Sequence, residues 1–168
     1  VDRAREVVAQ EVFEQHVRCA RIYEPPIPVA RPALRARSDR PLRVGYLSAD
    51  FVRHPVGQFI EAPLRHHDPS RVESFCYFVG PREDAVTHTL KHLAHHWRMT
   101  PALDAQALAQ LIRDDQIDVL VELSGHSKAH RLATMALRPA PVQVTYLGYP
   151  NTTGLRAIDF RLSDAFTD

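Results

Sequence analysis

A Rossmann-like three-layer α/β domain with a parallel sheet, preceded by a helix and a proline-rich linker, is the fold class that the sequence predicts. Three observations predict it. From residue 42 onward, short apolar runs alternate with stretches of helical periodicity, the pattern of βαβ units. The run Val119-Leu120-Val121 is apolar without alternation, as in a strand covered on both faces. Pro25, Pro26, Pro28, Pro32 and Pro41 break the chain between an opening helical stretch and the rest. With 168 residues, one domain with an appended element fits the length.

The elements follow in order. Residues 1–23 read as a helix, because Val1, Ala4, Val8, Val12, Phe13, Val17 and Ala20 recur at helical spacing. Residues 24–41 form the linker, basic between Arg31 and Arg40. Residues 42–47 alternate and predict a strand, and 54–66 a helix with Pro55 in its first turn. A second strand spans 72–79, a helix 83–95, and a short strand 96–99. Asp104 is the expected N-cap of a helix over 104–115. A strongly apolar strand over 117–123 leads to a helix over 129–137, stopped by Pro139. Strands over 142–147 and 158–162 complete the set. The expected division is a helical connector and linker over 1–41 and the α/β lobe over 42–168.

Composition excludes several classes. Lys plus Arg is 21 against 20 Asp plus Glu, a net charge of +1, which argues against a dedicated nucleic-acid binder. Cys19 and Cys76 form no C-x-x-C pair, so neither a disulfide scaffold nor a thiolate zinc site is expected. No run of about 18 apolar residues is present, so no membrane span is expected. The opening residues lack a signal-peptide core, which makes the cytoplasm the expected compartment. A chain that starts at Val1 and stops at Asp168 reads as a piece of something longer.

In open parallel sheets ligands bind beyond the carboxyl ends of the strands. Three such ends are polar here: residues 48–55, 124–128 and 148–154. His54 stands just before Pro55 at an expected helix start, where the positive helix end favours a neutral, proton-accepting imidazole. That suits general-base work or a hydrogen bond to an anion, and the plainer alternative is a histidine that caps the turn. Gly125 permits close backbone approach to a ligand, and the following helix start offers free N–H groups. Its alternative is an ordinary strand-to-helix turn. The Asn151-Thr152-Thr153-Gly154 loop is a source of hydroxyl and amide donors or simply a polar turn. No G-x-G-x-x-G or P-loop follows the first strand. His88, His92 and His95 project from the polar side of their helix, His96 follows it, and no metal site is expected.

These segments together resemble the catalytic region of the O-linked N-acetylglucosamine transferases, in particular the SPINDLY-like bacterial members with tetratricopeptide repeats. The matching stretches are 42–51 with His54-Pro55, Phe75-Cys76-Tyr77, 117–126, 136–144, Leu147-Gly148-Tyr149-Pro150 and Thr153-Gly154, continuing to Asp159 and Asp164. The resemblance implies the amino-terminal lobe of a GT-B glycosyltransferase, inverting and metal-independent, without cofactor. It implies transfer of GlcNAc from UDP-GlcNAc to Ser or Thr hydroxyls of a protein or peptide. A repeat array would precede the lobe and a nucleotide-binding second lobe would follow it. His54 falls on the family's active-site histidine, of uncertain role. Gly125, His126 and Ser127 fall on the loop facing the donor phosphates and the acceptor, with Lys128 a looser match. Gly148, Tyr149, Pro150, Thr153 and Gly154 fall on a loop lining the same cleft. Glu122 stands where relatives carry an acid or an amide, with no role assigned.

Two alternatives stay open on the sequence. SPINDLY proteins of plants use GDP-fucose, so a protein O-fucosyltransferase is the first. A non-catalytic scaffold lobe attached to a repeat array is the second. A flavodoxin-like or receiver-like domain would need an acidic cluster, and Asp50 alone is thin support for one. The lobe alone is expected to be inactive and to bind nucleotide sugar weakly.

Overall fold

The alternation of apolar runs and helical stretches closes into one six-stranded sheet in the computed structural model, which describes residues 3–34 and 40–164. Val1, the 35–39 part of the basic linker and residues 165–168 lie outside the described residues. The strands are β1 (Leu42–Ser48), β2 (Val72–Phe78), β3 (His96–Met99), β4 (Val119–Glu122), β5 (Val142–Tyr146) and β6 (Phe160–Leu162). Their order is β3-β2-β1-β4-β5-β6, and every pairing is parallel. This is the doubly wound Rossmann arrangement, whose strand order reverses between β1 and β4 and opens a crevice at their carboxyl ends.

The helices are α1 (Arg3–Ala20), α2 (Pro55–His66), α3 (Ala85–Leu93), α4 (Ala105–Asp114) and α5 (Leu132–Ala136). Strand alternation sends successive side chains to opposite faces. Val44, Tyr46, Cys76 and Phe78 meet Val56, Ile60 and Leu64 of α2 and Leu90 of α3 on one face. Leu47, Phe75, Tyr77 and Leu120 meet Leu108 and Ile112 of α4, Leu132 and Met135 of α5, and Ala20 on the other. That makes three layers.

Local chemistry sets the boundaries. Asp84 and Thr87 form a reciprocal capping box at α3, and the Asp104 carboxylate accepts the Ala107 amide at 2.8 Å to start α4. α3 ends at Leu93, two residues before the expected end. His95 therefore leaves the helix and hydrogen-bonds Ser74 Oγ at 2.8 Å, contrary to its expected outward projection. His96 reaches Glu73 at 2.7 Å. α5 is five residues, not the nine expected, because Ala129 takes a left-handed φ of 61° and no side chain caps Arg131. α1 buries less than its pattern predicts: Val8 is 57% and Phe13 48% exposed, while Ala20 enters the core.

The amino ends of the strands carry an ion-pair network. Both Arg40 guanidinium nitrogens meet Asp118 at 2.8 Å, and Asp118 also accepts the Arg43 amide at 2.9 Å. Arg43 pairs with Glu73 at 2.8 Å, and Arg98 with Asp115 at 2.7 Å, where Tyr77 also donates. No helix among the described residues is long and apolar enough to cross a membrane.

Candidate active site

The loop leaving β1 is tied down before it reaches His54. The Ser48 hydroxyl accepts the Asp50 amide at 2.9 Å, and Phe51 is fully buried with its carbonyl accepting the Thr87 hydroxyl at 2.7 Å. Asp84 takes the Arg53 amide at 2.7 Å. His54 is then the N-cap of α2: extended, exposed, with Nδ1 accepting the Val56 amide at 3.3 Å. An Nδ1 that accepts leaves the neutral ring's proton on Nε2. The solvent-facing nitrogen is thus a donor, and the proton-accepting nitrogen expected at the site is turned onto the helix. The structure thus shows the capping reading of His54, with the rest of the ring exposed.

The loops after β4 and β5 interlock. The Leu123 amide donates to the Leu47 carbonyl at 3.1 Å, so β4 leaves the sheet beside β1. Gly125 has φ 52° and lies under the Tyr149 ring, so a Cβ there would be strained and would overlap that ring. Gly148 lies so close to the Leu123 carbonyl that any side chain would collide with it. His126 Nε2–H donates to the Thr153 carbonyl at 2.8 Å, which fixes its ring between the two loops. Gly154 packs on the carbonyl of His16 in α1. Gly125, His126, Tyr149 and Thr153 are therefore brought into direct contact. Pro150 is exposed beside them and its carbonyl accepts from Arg161 at 3.2 Å.

Three of the N–H groups expected to be free after β4 are already used. Glu122 accepts the Ser124 amide at 3.0 Å and the Gly125 amide at 2.8 Å, and the Ser127 amide donates to the Ser124 carbonyl at 3.0 Å. With α5 shortened, no helix start faces the crevice from this loop. What the turn offers a ligand is side chains. The Ser124 and Ser127 hydroxyls are buried without a protein partner. Lys128 is exposed. Burial, with His126 and Arg131 nearby, holds the His130 imidazole below its ordinary pKa, so it is a neutral neighbour.

Two recesses of comparable size differ in chemistry. One of about 400 Å³ opens on this rim beside Thr145, Tyr149, Pro150 and Arg161. The other, about 350 Å³, lies between the linker and Arg138, where Asp159 engages Arg31 and Arg138, and Glu24 engages Arg156. Both of its acids are already engaged by arginines. Among the described residues no group of three or more His, Cys, Asp or Glu is placed to hold a metal ion.

Residues 19–168 match the family model described as Glycosyl transferase family 41. The chain belongs to this family. The match begins inside α1, ahead of the stretch that the motifs identified. A SPINDLY protein of Hordeum vulgare, named as a probable UDP-N-acetylglucosamine–peptide N-acetylglucosaminyltransferase, is 47% identical over 135 residues, 78% of this chain and 14% of that protein. A Caenorhabditis elegans UDP-N-acetylglucosamine–peptide N-acetylglucosaminyltransferase is 36% identical over 75% of this chain and 11% of its own length. A solved structure of a Thermobaculum terrenum O-GlcNAc transferase variant superposes with a TM-score of 0.84 at 42% identity, covering 90% of this chain and 29% of that one. The chain thus spans about one seventh of the first of these relatives.

Within this family 41 chain, three groups at the rim escaped sequence reasoning. Thr145 is buried on β5 and its hydroxyl donates to Glu122. His16, from the connector, donates Nδ1–H to the Val12 carbonyl at 2.7 Å, so its Nε2 receives the Tyr149 hydroxyl at 2.9 Å. Tyr23 meets His130 at 3.3 Å. One signal was available: an acid ending an apolar strand, at Glu122, needs donors close by. Nothing in the spacing of α1 points to its contact with the rim.

Proposed function

We propose that this chain is the amino-terminal lobe of a metal-independent protein O-glycosyltransferase that moves GlcNAc from UDP-GlcNAc to Ser or Thr hydroxyls with inversion. The observation that supports the reading is the interlocking of the motif-bearing loops after β4 and β5, beside the end of β1 where strand order reverses, in a chain of family 41. A preceding tetratricopeptide array, a following nucleotide-binding lobe and a cytoplasmic place of action belong to the same proposal, as does a division of the chain near residue 41.

In transfer, the acceptor oxygen bonds to the anomeric carbon as the bond from that carbon to the diphosphate oxygen breaks, and the hydroxyl proton passes to the departing diphosphate. His54 supports this as an Nε2–H donor that orients an oxygen at the crevice, with Nδ1 anchored by α2. With the Ser124, Gly125 and Ser127 amides engaged, exposed Lys128 and, behind it, the buried unpaired hydroxyls of Ser124 and Ser127 are the side chains of the turn left for the donor's diphosphate. Gly148, Tyr149, Pro150, Thr153 and Gly154 form the opposing wall.

The test is an assay of the full-length protein containing this chain with an acceptor peptide, supplying UDP-GlcNAc and GDP-fucose in parallel arms. GlcNAc transfer abolished by removal of UDP-GlcNAc supports the reading. Fucose transfer alone overturns the donor assignment, and no transfer from either overturns the activity in favour of a scaffold lobe.

A further inference from the structure

Glu122 is the one acid at the candidate site's floor, and its environment is unusual. It is 2% exposed, at the last position of β4. One carboxylate oxygen accepts the amides of Ser124 and Gly125, and the other accepts the Thr145 hydroxyl from the neighbouring strand. These partners are neutral donors. Burial pushes the carboxyl above its ordinary range, against the pull of Thr145, the two amides and His126.

A buried carboxylate without a cation is a costly way to stabilise a fold, and an apolar residue would serve stability alone better. What the side chain offers here is one oxygen for the two turn amides and a second polar atom for the Thr145 hydroxyl. An amide could keep all three contacts, since a hydroxyl also accepts, whereas an apolar side chain keeps none.

Resting on the glycosyltransferase reading, we propose that Glu122 is a positioning residue, which with Thr145 clamps the 124–127 turn to β5 and so fixes the side chains that face the sugar donor. The clamp holds Gly125 in its left-handed conformation beneath Tyr149, and thereby couples the β4 loop to the β5 loop. It also withdraws two amides from the donor, leaving its recognition to Ser124, Ser127 and Lys128.

The experiment compares Glu122→Leu, Thr145→Val and Thr145→Ser in the full-length protein. Amide hydrogen exchange at Ser124 and Gly125 reports the clamp directly. Steady-state kinetics with UDP-GlcNAc reports its consequence. Glu122→Leu and Thr145→Val are expected to speed exchange at Gly125 by about tenfold. They should lower kcat by about tenfold or more while KM for the donor moves less than about threefold. Thr145→Ser, which keeps the hydroxyl, should restore most of what Thr145→Val loses. Since Thr145→Val removes only a hydroxyl, it covers the case in which Glu122→Leu does not fold. Wild-type exchange at both amides in folded Thr145→Val, or an unchanged kcat, overturns the proposal. If the wild-type protein transfers no sugar, the activity falls, while the exchange comparison still decides whether Glu122 holds the turn.

Discussion

The two ends of the sheet handle charge in opposite ways. At the amino ends, Asp118, Glu73 and Asp115 each meet an arginine, and the network links β1, β2, β3 and the entry to β4. At the carboxyl ends, the buried acid Glu122 has only neutral partners, two serine hydroxyls are buried without any, and an imidazole faces solvent. The first arrangement is what stability favours. The second leaves polar capacity that only a ligand or water can satisfy, and it coincides with the crevice of the doubly wound sheet.

Substitutions at the two ends should therefore separate stability from turnover. The largest loss of stability is expected for Asp118→Ala, which strands Arg40 and the Arg43 amide. About 2–3 kcal/mol should disappear in chemical denaturation, with turnover per folded molecule unchanged. Reduced turnover in the folded fraction would break the contrast. Gly125→Ala comes next, at about 2 kcal/mol from left-handed strain and the Tyr149 overlap, and here turnover should fall as well.

Acid should then act through the amino end. Burial alone would raise the Asp118 pKa, but the Arg40 pair and the Arg43 amide outweigh it and hold the carboxyl below its ordinary value. Its contribution is present above about pH 3.9, the ordinary aspartate value, and is lost as pH falls through the depressed folded value. Asp118→Asn should flatten the acid limb of a melting-temperature profile, and an unaltered limb would assign it elsewhere. The smallest effect on stability belongs to His54→Ala. Its cap bond is long, so less than about 1 kcal/mol is expected, yet turnover should fall by about a hundredfold.

The architecture was legible because parallel strands buried on both faces must be apolar throughout. The runs around Val44, Phe75, Val119 and Val144 therefore stood out, and Asp84 and Asp104 marked helix starts by chemistry that acts within three residues. The position of His54 was legible for the same reason, since Pro55 fixes the first turn after it. Its tautomer was not, because that depends on which nitrogen the Val56 amide reaches. The occupied amides of the β4 loop were equally hidden: Glu122 and Thr145 lie 23 residues apart and meet only through strand pairing. The half-buried seat of α1 also escaped notice, because Gly154 and Tyr149 contact it across more than a hundred residues of chain.

Among the described residues, both outermost strands of the sheet are short, four residues in β3 and three in β6. Few unpaired backbone groups are therefore offered to a stray strand, although Phe160 and Leu162 are exposed along β6. Arg161 between them interrupts the apolar edge with a charge. Short borders of this kind leave little room for edge-to-edge strand pairing.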